Sequence, residues 1–138
     1  MIAKLTICAA YLLFGETAGS AKQPEELTLI PIEQAIIDAT NAERTRYGLI
    51  PLEVDRKLVK SARGHANWMA LSQTLQHTRQ AVAENIAMGQ PNHLEAVGAW
   101  MRSPGHRANI LNAGHRRIGA AAYQTEGGTV YWCQQFTP

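Results

Sequence analysis

Cysteine is nearly absent from this chain, and its scarcity excludes more than any motif that is present. Two cysteines stand in 138 residues, Cys8 and Cys133. If Cys8 leaves with an N-terminal leader, Cys133 is alone and no intramolecular disulfide can form. Paired-cysteine, His-x-x-x-His and His-Glu-x-x-His spacings are all missing, so no recognised zinc motif is written into the chain. There is no Gly-x-Ser-x-Gly elbow for a nucleophilic serine. No Asn-x-Ser/Thr sequon, internal repeat or low-complexity tract occurs. Charge of one sign is not concentrated either: 13 basic and 11 acidic residues leave a net +2, which gives no electrostatic footprint for nucleic acid. Long hydrophobic runs are missing as well, since a bilayer span takes about 20 apolar residues and none is present.

What is there suffices for one domain. With 46% hydrophobic residues, a chain of this size buries about 65% of its unfolded surface and needs neither disulfide nor metal to fold. Residues 1–21 read as a secretory signal peptide: Lys4, a mostly apolar run from Leu5 to Phe14, and small residues at Ala18 to Ala21. Residues 22–30 read as a linker and 31–138 as the domain. Export to the periplasm or the medium is the expectation, with no transmembrane segment.

Helix signals follow. The first helix is expected from about Pro31 to Tyr47, stopped by Gly48. Its spacing turns Asn41 and Arg44 towards the protein, as groups that tie the helix to neighbouring backbone. Asp55 caps a second helix, Arg56 to about Leu71, whose stripe Leu58, Ala62, His65 and Met69 makes His65 a hydrogen-bonded core histidine rather than a ligand. Asn92 and Glu95 open a third helix as a capping-box pair. Ser103-Pro104 reads as N-cap and N1 of a short fourth helix carrying His106 on its first turn. His93 and His115 fall in polar, loop-like contexts. Two strand-like runs, 117–124 and 129–136, are joined by Glu126-Gly127-Gly128, and aromatic residues alternate to both faces of the second run. Both faces of that hairpin are therefore expected to be covered.

The ordered set Asn41-Ala42-Glu43-Arg44, Gly48 to Leu52, His65-Ala66, His77, Ala83 to Gly89 (AENIAMG), Trp100 to Leu111 (WMRSPGHRANIL) and Tyr131 to Phe136 (YWCQQF) resembles the CAP family of secreted proteins, also called SCP-like or pathogenesis-related-1-like, in its short bacterial form. The resemblance implies an α/β fold, an α-β-α sandwich with a small antiparallel sheet between helices. It also implies a central cleft with two histidines and two acidic residues. Residue by residue these are His77, Glu84 and His106, with Ser103 where the second glutamate would stand. Losing that carboxylate undercuts a two-carboxylate acid/base mechanism, which needs two titrating groups in different environments. Two imidazoles with one neighbouring carboxylate could hold a divalent metal such as zinc weakly, with Glu84 in support. Three functions stay open on the sequence: a small-ligand binding module for a lipid, cell-wall fragment or peptide; a weak metal-dependent hydrolase; and an extracellular scaffold for a partner protein.

Overall fold

The computed structural model describes residues 27–138. The expected signal peptide and most of the expected linker lie outside the described residues. Eight elements follow in chain order: α1 (Pro31–Arg46), β1 (Glu53–Val54), α2 (Arg56–Ser72), β2 (Ala83–Met88), α3 (His93–Arg102), α4 (Pro104–Ile110), β3 (Arg117–Gln124) and β4 (Val130–Thr137).

Local chemistry explains most boundaries. Pro31 occupies the first turn of α1, where its missing amide orphans nothing, and Glu33 turns back to accept the Ile30 amide at 3.0 Å. At the other end Gly48 takes φ +71°, so the chain folds back and the Leu49 amide reaches the Arg44 carbonyl at 2.9 Å. Asp55 caps α2 by accepting the Lys57 and Leu58 amides at 2.8 and 3.0 Å. Asn92 caps α3 through the Glu95 amide at 2.9 Å.

The strands form one sheet in the order β1-β3-β4-β2. The β3–β4 hairpin and the β4–β2 pair are antiparallel, while the two-residue β1 lies parallel to β3. Period-two alternation divides β2, β3 and β4 between two layers. Ile118, Ala120, Trp132 and Phe136 meet Ile36, Ile37 and Trp100 in the core shared with α1 and α3. Ala121, Tyr131, Cys133 and Ile86 meet Ala62, Ala66 and Met69 of α2 on the opposite face. The result is an α-β-α sandwich, with α2 alone on one side of the sheet and α1, α3 and α4 on the other.

Two features fix how the layers sit. α2 lies almost on the backbone of β3: a Cβ built on Gly119 would stand 2.1 Å from the Leu58 carbonyl carbon and 2.3 Å from the Val59 nitrogen. The outer edge of β2 is closed by side chains rather than by another strand. The Trp100 indole donates to the Ile86 carbonyl at 3.0 Å and the Asn109 amide to the Glu84 carbonyl at 3.2 Å.

One reading of the loops is corrected. His93, read as loop-like, is the first residue of α3, and His115 does lie in the loop before β3, but not in a polar setting. The His115 ring is buried, stacked at 5.4 Å on Phe136, and neither ring nitrogen has a hydrogen-bond partner.

Candidate functional site

The site is assembled along β2, which side chains of both helical layers reach: His65 from α2, and Trp100 and Asn109 from α3 and α4. Glu84 sits second in β2 and points to the α2 side, directly opposite Gln135 of β4. Its carboxylate is buried and surrounded by donors. Oε1 accepts His77 Nδ1 and the Thr78 amide, both at 2.9 Å; Oε2 accepts Gln135 Nε2 at 2.8 Å and the Cys133 thiol at 3.7 Å. An ionised carboxylate can only accept, so every one of these contacts suits the charged form.

Glu84 thereby sets the orientation of His77. His77 Nδ1 stands 2.9 Å from Oε1, which fixes the ring while 59% of the side chain stays open to solvent. His65 stands nearby with its own constraint: Nε2 donates to the Gln76 carbonyl at 2.7 Å and lies 3.8 Å from Glu84 Oε1. His65 is hydrogen-bonded, its side chain only 11% exposed and stacked on Trp68 at the edge of the α2 stripe.

His106 comes from the other layer. What holds it is backbone: its carbonyl accepts Asn85 Nδ2 at 3.0 Å. Asn85 also donates to Gln134 Oε1 and accepts from Asn109 Nδ2, both at 2.9 Å, while Gln134 Nε2 reaches the Thr40 hydroxyl at 3.0 Å. This buried polar chain runs from α1 through the sheet to α4 and leaves His106 little freedom. Burial, and after it the nearby His77 imidazole, hold the His106 imidazole below its ordinary value. His106 is therefore neutral at pH 7.

Ser103 has a double role that differs from a simple cap. Its amide closes α3 on the Trp100 carbonyl at 3.1 Å and its carbonyl opens α4 by accepting Arg107 at 2.8 Å. The backbone is at the N-cap, yet the hydroxyl makes no capping bond. With Ser103 in place of a carboxylate, Glu84 has no second acid beside it from the α3–α4 junction.

Asn41 and Arg44 bond to backbone, Arg44 reaching among others the His115 carbonyl at 3.5 Å. Asn41 pairs both its amide groups with the Leu52 backbone, at 2.8 and 3.0 Å, as a strand would. Arg44, fully buried, donates to the carbonyls of Ile50, Ile110 and Asn112 at 2.7 to 3.0 Å. Arg44 thus clamps the end of α4 and the turn after it.

Gln135, Cys133, Asn85 and Asn109 escape a reading of the sequence. The one available signal is the pair Gln134-Gln135 inside an otherwise apolar strand, because two fully buried amides on opposite faces each require a partner. Which partner depends on the register of β2 against β4, which no local pattern states.

The donor set is limited. Among the described residues no three His, Cys, Asp or Glu side chains converge to hold a metal ion. His77 and His106 supply two imidazoles, fewer than the three protein ligands of a catalytic zinc site. That set does not fit a resident ion. A separate groove of about 720 Å³ opens between the end of α2 and the β3–β4 turn, lined by Leu71, Met88, Tyr123 and Tyr131 among others and by none of the histidines.

Residues 37–136 match the model of the cysteine-rich secretory protein family, CAP. The chain belongs to the CAP family. Among CAP relatives, YkwD of Bacillus subtilis is 37% identical over 121 aligned positions, covering 75% of this chain and 46% of YkwD. The crystal structure of an extracellular Bacillus anthracis protein containing an SCP domain matches with TM-score 0.68 at 26% identity, over 80% of this chain and 44% of that one. An outer surface protein of Borrelia burgdorferi shares the fold at TM-score 0.68 and 22% identity, over 75% of this chain and 89% of that one. This CAP chain spans less than half the length of the two Bacillus proteins. No helix among the described residues is long and apolar enough to cross a membrane.

Proposed function

We propose that this is an exported CAP-domain protein whose cleft at the β2 edge binds a small polar ligand, such as a cell-wall fragment or peptide, through the His77 and His106 side chains. The observation that carries the reading is the His77–Glu84 contact at 2.9 Å beneath an exposed ring. It holds the His77 ring in one orientation at the surface, while His106, neutral because burial disfavours its charge, adds a second imidazole from the opposite layer. Support for export comes from the Lys4 and Leu5–Phe14 pattern and from relatives described as extracellular or outer surface proteins.

The same pair of imidazoles would hold a divalent metal such as zinc weakly, and only as rising pH removes the imidazole protons. Glu84 would support such an ion through His77 without touching it. Isothermal titration with zinc tests whether the two rings share one cavity. His77→Ala and His106→Ala should each abolish the heat, whereas Glu84→Gln should weaken binding by about tenfold. The same variants titrated with solubilised cell-wall fragments test the ligand itself. Unchanged zinc and fragment affinities in both histidine variants would remove this cleft from the function and leave the scaffold reading.

A further inference from the structure

We infer that the outer face of α2 is a docking surface for an anionic lipid bilayer, independent of the histidine cleft. The helix carries Arg56, Lys57, Lys60 and Arg63 and not one acidic residue over its 17 positions. Arg63 is committed elsewhere, donating to Glu33 Oε2 at 2.7 Å and to the Thr28 carbonyl at 2.9 Å. Arg56, Lys57 and Lys60 are exposed. Helical spacing aligns Lys57, Lys60, Gly64, Trp68 and Leu71 in one stripe, opposite the Ala62–Ala66–Met69 stripe that faces the sheet.

This stripe is basic at one end and apolar at the other. Trp68 is 44% and Leu71 74% exposed, a large apolar area to leave in water on a helix whose inner face is already satisfied. The apolar end continues sideways, because Leu71 also lines the groove with Met88 and Tyr123, both exposed. Between the two ends Gly64 carries no side chain and has open space around it, so nothing protrudes to hold the stripe off a flat surface. Lys60 and Trp68 are eight residues apart, about 12 Å along the axis.

Lipid is the occupant whose chemistry matches both ends. Lysines attract anionic headgroups, and tryptophan with leucine settles at the headgroup–acyl boundary. A soluble polyanion would use the lysines and leave Trp68 in water. Stacking on His65 at 5.7 Å already restrains the Trp68 ring, which lowers the entropy lost on contact. The acidic groups around α2 leave its lysines unpaired: Asp55 stands 3.8 Å from Arg117, Glu33 pairs with Arg63, Glu84 is buried, Glu126 lies across the groove at the hairpin turn, and Glu53 is exposed in β1 ahead of the basic end.

The chain contains its own reporter. Of its three tryptophans, Trp100 and Trp132 are buried and Trp68 alone is exposed, so a blue shift of emission on adding vesicles reports on α2. The full chain would be titrated with vesicles of phosphatidylcholine, and of phosphatidylcholine with phosphatidylglycerol. The N-terminal apolar run could bind lipid by itself, but it carries no tryptophan and would not respond to changes in α2. A blue shift that requires phosphatidylglycerol and weakens with salt is expected. Lys57→Gln with Lys60→Gln should lower the affinity measured by that shift about 25-fold, and Leu71→Ser should reduce the shift itself. Binding without an emission change, as polyphosphate would also give, would overturn the proposal. Equal shifts with and without anionic lipid, or in wild type and the double lysine variant, would overturn it as well.

Discussion

Cys133 and Ser103 show how far a side chain's neighbours decide its chemistry. The Cys133 thiol is fully buried, and desolvation together with the adjacent Glu84 carboxylate pushes it well above the ordinary thiol range. A thiolate there would lose water and face a negative charge, so the group behaves as a small hydrophobe with a weak donor. Native protein should resist thiol reagents and label rapidly once denatured; rapid native labelling would show that the packing of α2 over Cys133 opens to solvent. At Ser103 the hydroxyl contributes no capping bond, so Ser103→Ala should change stability by less than about 0.5 kcal/mol, as for an ordinary surface substitution. A loss near 1 kcal/mol on thermal unfolding would reinstate the cap.

Elements reveal what the chain's pattern could and could not disclose. Helix limits were legible because their signals are local: Pro31, Gly48, Asp55 and Asn92 act within a turn of where they stand. The hairpin was legible from its glycine turn and alternation. β2 was hidden, since a six-residue edge strand with Glu84 and Asn85 buried on opposite faces has no apolar alternation to announce it. The site was legible only as far as the family resemblance named His77, Glu84 and His106; the Gln135 and Asn85 contacts depend on strand register. Gly119 was equally silent, because its need for a bare Cα comes from α2, sixty residues earlier in the chain. Gly119→Ala should force the start of α2 off β3 and destabilise the fold by about 3 kcal/mol or more, read as a lowered denaturant midpoint. A midpoint within error of wild type would mean the helix can withdraw freely, which the buried Leu58 and Val59 beside it argue against.

Taken as a whole, the molecule places two histidines where a positive charge is unwelcome, and this gives the fold a direction of pH sensitivity. His115 is held below its ordinary value first by burial and then by Arg44, whose guanidinium is fixed in the same region by backbone carbonyls. His106 is held down by burial and by His77. Above the unfolded-state value of about 6.5 both rings are neutral in either state, and the fold keeps its full stability. As pH falls below that, the unfolded chain takes up protons that the folded one refuses, so unfolding is favoured progressively until the folded-state values are passed. Unperturbed carboxylates titrate near about 4 and histidine near about 6.5, so the interval between about pH 8 and 5 is where histidine protonation acts. Wild type should therefore lose urea stability across that interval. His115→Leu should lose less, because one of the two proton-refusing rings is gone, and at pH 8 it should stay near wild type: the Phe136 stack is lost, but two partnerless buried nitrogens are removed with it. Matching pH profiles for His115→Leu and wild type would show that the buried ring accepts a proton without penalty.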